Sequence, residues 1–173
     1  MANSSGSDSE ESGAKESGEW ADYEHNGIHY RVPVAADVSP RAAHHILYGE
    51  SVRGGASAAE RNARSGGHLA GQHLDDKSMF PPHWSPQRII DTAQRIRDDS
   101  EVPTKGKPRG VRFKAATVDG LDVVVKLGPS GAVVTFYPHV GPGVTWSWNG
   151  EVFPQETWEQ YKANKRRRTF GRE

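Results

Sequence analysis

Apolar positions along the chain change rhythm twice, and each change marks an element. Ser39-Pro40 reads as a helix cap followed by proline in the first turn, and Gly49 as the stop, which predicts a short helix over Pro40 to Tyr48. Its last turns carry His44, His45, Ile46 and Leu47. Ser85-Pro86 repeats the same start. Ile89, Ala93 and Ile96 then recur at helical spacing, with Ile90 beside them, so a second helix with a buried stripe should run from Pro86 to Asp98. Beyond a polar loop from Asp99 to Gly110 the rhythm becomes strand-like. Val111 to Val118 and Leu121 to Leu127 flank Asp119-Gly120, a strong two-residue hairpin signal. Gly128-Pro129-Ser130-Gly131 turns the chain again before a third strand over Ala132 to Tyr137. The expectation is an α+β fold with N-terminal helices packed on a small antiparallel β-meander.

The flanks read differently. Tyr30 to Val34 has the look of a short strand ended by Pro33. Residues 1–24 are rich in Ser, Gly and Glu and are expected to form a disordered acidic leader. The domain proper is then 25–138, with 139–173 as an aromatic and basic extension containing Trp146, Trp148, Phe153, Trp158 and Lys165 to Arg168. Residues 50–78 form a long Gly/Ser/Ala-rich segment, briefly helical at most over Ala58 to Arg64; loops of that length tend to be functional or disordered.

Charge sharpens this division. The formal net charge of the chain is zero, yet residues 1–24 hold seven acids against Lys15 alone, which leaves 21 basic and 15 acidic residues in the remainder. A basic body attracts polyanions, and an acidic leader serves either as a screen for it or as a solubilising linker. Without Cys there is neither a disulfide framework nor a thiolate metal site. No apolar run approaches the roughly 20 residues that span a bilayer, and the first residues lack the basic and apolar regions of a Sec signal peptide.

Four local elements carry candidate chemistry. They are His45-Ile46-Leu47-Tyr48-Gly49 at a helix end, Gly66-Gly67-His68 in a loop, Lys77-Ser78-Met79-Phe80-Pro81, and Thr135-Phe136-Tyr137-Pro138 on the last core strand. Alternation along a strand puts Thr135 and Tyr137 on one face; Val134 and Phe136 are expected on the other, toward the helix. A hydroxyl and a phenol beside two imidazoles and an ammonium would complete a phosphate site.

Taken in order, these elements resemble the bacterial EndoU nuclease family, often the C-terminal toxin module of contact-dependent and polymorphic toxins. The resemblance also takes in the Trp84-Ser85 helix start and the Asp-Gly hairpin, and covers about residues 41–138. It implies an antiparallel sheet with N-terminal helices, as in the barnase–EndoU–colicin–RelE class. It implies RNA cleavage, often of tRNA, leaving a 2′,3′-cyclic phosphate and a 5′-hydroxyl, with no cofactor. By motif, His45 and His68 become the acid–base pair, Lys77 the phosphate-stabilising cation, and Thr135 and Tyr137 the substrate-positioning residues. A toxin of this kind is delivered by secretion machinery to a target-cell cytoplasm and neutralised in its producer by a cognate immunity protein.

The residue types suit that reaction. Imidazole can take a proton from a ribose 2′-OH or give one to the leaving oxygen near neutral pH, and lysine can stabilise charge growing on phosphate. The residues leave open which histidine is the base; analogy with two-histidine ribonucleases favours His68. His44 and His73 lie within a few positions of the pair and stay alternatives. The eight histidines also raise a metal site, but none has His-x-x-x-His spacing on a predicted helix, and no metal ligand set is assigned. Lys105, Lys107, Arg109 and Lys165, Arg166, Arg167 and Arg168 are candidate RNA-phosphate contacts. Trp146, Trp148 and Trp158 either stack on bases or pack on the domain. The competing functional reading is a catalytically inactive RNA-binding or protein-interaction module on the same fold.

Overall fold

Both serine–proline signals start helices where the sequence places them. The computed structural model describes residues 18–51, 64–72, 77–106, 112–148 and 151–155. Helix α1 spans Pro40–Tyr48 and α2 spans Pro86–Asp98. Ser39 Oγ accepts the amide of Ala42, and Ser85 Oγ that of Arg88, so each cap satisfies an orphan donor of the first turn. At the far end of α2, the buried Lys114 ammonium donates to the carbonyls of Arg97 and Asp99. This places a cation at the negative end of the helix dipole.

The main sheet is antiparallel, in the order β6–β7–β8–β9, with β6 Lys105–Gly106, β7 Arg112–Val118, β8 Leu121–Leu127 and β9 Val133–Val140. Asp119 and Gly120 both take left-handed backbone angles, φ 50° and 78°, as the tight hairpin requires. The expected meander therefore exists, with a correction: Lys105 lies not in a loop but on a short fourth strand, paired with Phe113. On β8, Leu121, Val123, Val125 and Leu127 are buried, with Asp122, Val124 and Lys126 on the other face. The buried set joins Ile46 and Leu47 of α1, Ile89, Ile90, Ala93 and Ile96 of α2, and the ring of Phe80, stacked on that of Trp84 and tilted against that of Phe136. Truncating any of those three rings to alanine costs about 3–5 kcal/mol on general experience.

Strand β9 departs from simple alternation. Leu127 pairs with Val133 but Lys126 with Thr135, so Val134 is an extra residue; His139 is another, between the partners of Asp122 and Val123. These bulges re-aim side chains. Val134 does not face the helices as expected; it is 51% exposed, and Val133 takes the core position.

Both domain boundaries also move. Strand β1, Glu19–His25, pairs along its length with β2, Ile28–Val34, around a two-residue turn in which Asn26 and Gly27 have φ 52° and 77°. Residues 19–24 thus belong to a hairpin rather than to a leader, and three of the seven leader acids sit on it. Pro33 lies inside β2 opposite Trp20, tolerated because β2 has a partner on one side only. At the other end, Val144 is buried in the core, and β10 (Thr145–Trp148) lies between β5 (Lys77–Met79) and β11 (Glu151–Pro154). The chain from 139 to 155 is part of the domain, not an appendage. The short pair β3 (Glu50–Ser51) and β4 (Arg64–Ser65) closes the long loop. Of the helix expected over 58–64 only Arg64 is described, and it is in β4. The leader up to residue 17, His73, Lys107, Arg109, Trp158 and Lys165 to Arg168 lie outside the described residues. Among the described residues no helix is long and apolar enough to cross a membrane.

Candidate active site

At the end of helix α1 the Gly49 amide caps the His44 and His45 carbonyls, and the Gly66-Gly67-His68 segment supplies further donors to the last turn. Gly67 N–H donates to the His45 carbonyl (2.9 Å), His68 N–H to Ile46 (2.7 Å) and Leu69 N–H to Leu47 (3.2 Å). The helix end and the loop are therefore bonded rung by rung, and this is what brings His68 to His45. Glycine is needed at 66: its φ is +76°, and a β-carbon there would lie 2.0 Å from the His45 carbonyl oxygen and 3.0 Å from the His45 ring.

His68 is held from its other side by β5. Its carbonyl accepts the Phe80 amide at 2.8 Å, and its Nδ1–H donates to the Ser78 carbonyl at 2.7 Å. Ser78 Oγ in turn donates to the Pro138 carbonyl on β9 at 2.5 Å. Strand β5 pairs with β10 in the register Lys77–Ser147, Ser78–Trp146 and Met79–Thr145. Five segments, the end of α1, the glycine loop, β5, β9 and β10, thus meet within one hydrogen-bonded frame.

The frame encloses an open cleft of about 220 Å³ lined by His45, Gly66, His68, Lys77, Ser78, Lys126, Thr135, Tyr137 and Trp146. All five residues singled out by motif are present. Thr135 and Tyr137 share a face of β9 as expected, since their ladder partners Lys126 and Val124 share one face of β8. The lining includes two lysines and two histidines and no carboxylate. Neither lysine forms an ion pair among the described residues. Lys126 Nζ lies 5.4 Å from the Tyr137 ring centroid, within cation–π range. The Tyr137 ring packs against His68 at 5.5 Å, and burial raises the phenol pKa above its usual value. Thr135 Oγ1 is buried with no hydrogen-bond partner among the described residues.

Burial pushes the His68 pKa down to about 4, against an opposing contribution from the Ser78 carbonyl; nearby Lys77, His45 and Lys126 lower it further. His68 is neutral at physiological pH. Because Ser78 O can only accept, the ring proton is on Nδ1 and the Nε2 lone pair is left available.

Lys126 is no part of the expected site, and Trp146 enters the expectation only as one of three tryptophans that either stack on bases or pack on the domain. Lys126 is a lysine on an apolar strand, opposite Thr135 once the ladder register is known. Trp146 belongs to a segment expected to lie outside the domain. Other candidates do not join the site. His44 does not line the cleft. Lys105 is exposed on β6, at the opposite edge of the sheet from β9. Among the described residues no group of three or more His, Asp or Glu side chains is arranged to hold a metal ion. No protein-family model, curated protein or solved structure matches this chain.

Proposed function

We propose that this chain is an endoribonuclease that cleaves RNA by internal transesterification without needing a metal. The observation that carries the reading is the convergence of His45, His68, Lys77, Thr135 and Tyr137 on one cationic cleft. In the proposed step the ribose 2′-oxygen attacks the adjacent phosphorus, the P–O2′ bond forms and the P–O5′ bond breaks. His68 Nε2 takes the 2′-hydroxyl proton, because its other nitrogen is committed to Ser78. His45 gives a proton to the departing 5′-oxygen. Products are a 2′,3′-cyclic phosphate and a 5′-hydroxyl. Lys77 and Lys126 stabilise the charge that grows on the non-bridging oxygens, and Thr135 Oγ1 donates to one of them. An arriving phosphate offsets the cations around His68 and lifts its pKa back toward the range where imidazole is an effective base. DNA, lacking the nucleophile, is not a substrate.

The motif resemblance extends the proposal to a toxin acting on RNA, tRNA foremost, in a target-cell cytoplasm, with an immunity protein guarding the producer. Purified protein incubated with total tRNA at neutral pH in EDTA should give discrete fragments ending in cyclic phosphate. His68→Ala should abolish them, and should lift the growth arrest caused by expressing the wild type in a bacterial cytoplasm. Salt-sensitive RNA binding without cleavage would overturn the enzyme in favour of a binding module.

A further inference from the structure

His45 borders two cavities. The second is an open cavity of about 360 Å³ lined by Ser39, Arg41, Ala42, His45, Val133 and Val134, and His68 is not part of its lining. It contains no lysine, no second histidine and no carboxylate. Part of its wall exists because of the bulge in β9: the extra residue turns Val134 outward, leaving it one of four large exposed hydrophobic side chains among the described residues. Of those four it is the one that lines a cavity sharing a residue with the catalytic cleft.

We propose that this second cavity is the binding site for the downstream nucleoside, the one that departs with the 5′-oxygen. The inference rests on the ribonuclease reading and on His45 as its acid. A general acid must sit within hydrogen-bond reach of the leaving oxygen, and the attacking and leaving oxygens stand roughly in line across phosphorus. With His68 taking the proton of the nucleophile inside the first cleft, the leaving nucleoside emerges past His45, toward the second cavity. The lining suits that occupant. Ala42, Val133 and Val134 present an aliphatic wall to a base. Arg41, in the first turn of α1, presents a planar cation to a base face or to the next phosphate. A site with aliphatic walls and one planar cation discriminates weakly among bases, so sequence preference should reside mainly upstream of the cut.

The test compares two substrates that share an upstream nucleoside and differ only in what leaves. One set is the four dinucleotides NpA; the other is the four nucleoside 3′-(4-nitrophenyl phosphates), whose leaving group is neither a nucleoside nor in need of a proton. Val134→Glu sets a carboxylate at the rim of the second cavity, and Ala42→Gln narrows it without a charge. For both variants the ratio of kcat/KM on dinucleotide to that on aryl ester should fall about tenfold relative to wild type. Folding is reported by aryl ester turnover itself. A ratio unchanged in both variants overturns the subsite while leaving the ribonuclease standing. Wild-type protein that turns over neither substrate overturns the ribonuclease, and the subsite with it.

Discussion

Helix α1 carries two adjacent histidines that live in different chemical worlds. Successive helix residues point about 100° apart. That rotation sends His45 toward Lys77, Lys126 and His68, and sends His44 into a nest of rings. His44 is 1% exposed, with Tyr30 edge-on at 4.3 Å, His25 at 4.9 Å, Tyr23 at 5.1 Å and Tyr48 at 5.6 Å. The small cavity beside it is lined by the β1–β2 hairpin, by α1 with Gly49 after it, and by Gln72, with no lysine or arginine among them. One histidine therefore glues the N-terminal hairpin to the helix, and the other faces a cleft lined by two lysines and no carboxylate. Residue type alone does not distinguish them; what surrounds each ring does.

The largest test of that contrast is a pair of truncations. His45→Ala and His68→Ala should each lower RNA cleavage about 10³-fold with the fold retained, the range expected for losing a general acid or base. His44→Ala should leave the chemistry in place and lower unfolding stability by about 3 kcal/mol, as for a large buried side chain. Denaturant unfolding and kcat/KM measured on the same preparations check both halves. A His44→Ala protein that is stable and inactive would reverse the assignment. Next comes Gly66→Ala. It adds no functional group to the cleft, yet its β-carbon forces the loop away from the His45 carbonyl. A shift of about 1 Å between acid and base should cost about 10²-fold in kcat with circular dichroism unchanged.

Elements defined by neighbouring residues were legible in the sequence. The caps Ser39 and Ser85, the prolines after them and the Asp119-Gly120 turn act within a few positions, and the structure shows all of them. Asn26-Gly27 is an equally local signal, but its first strand, Glu19–His25, is so acidic that composition masks it as linker. The meeting of His45 with His68 was predictable only as motif order; its cause, three loop amides on the end of a helix, is tertiary. The bulge at Val134 and the pairing of β5 with β10 are likewise decided by packing between distant segments. For that reason Lys126 and Trp146 stayed outside the expected site, although both line it.

A change of leaving group separates the two cleft histidines from each other. An aryl phosphate leaves without protonation, so His45→Ala should recover most of its lost rate on the nitrophenyl ester, to within about tenfold of wild type. His68→Ala should recover nothing, because the 2′-hydroxyl must still lose its proton. Equal losses on both substrates for both variants would mean that the histidines act only by holding the phosphate. The reverse pattern would exchange their roles.

The smallest expected effect is on pH dependence, and it follows from the burial of His68, with nearby positive charge adding to it. In the unfolded chain an imidazole titrates near 6.5, whereas folded His68 titrates at about 4. Between those values the unfolded state binds the proton and the folded state does not, so stability falls as pH drops from about 6.5 to about 4 and then levels off. The linkage amounts to about 3 kcal/mol at full extent. If His68 is the base as proposed, the same titration governs it, and the acid limb of kcat/KM should lie near pH 4, well below that of an ordinary histidine. Lys126→Gln removes one of the positive charges that hold the pKa down. Its acid limb should move upward toward the usual imidazole value, and the loss of stability on acidification should shrink in parallel. A chemical-shift titration of the His68 ring in both proteins measures this directly. A limb that stays fixed while kcat falls would assign Lys126 to transition-state charge alone, with no part in tuning the base.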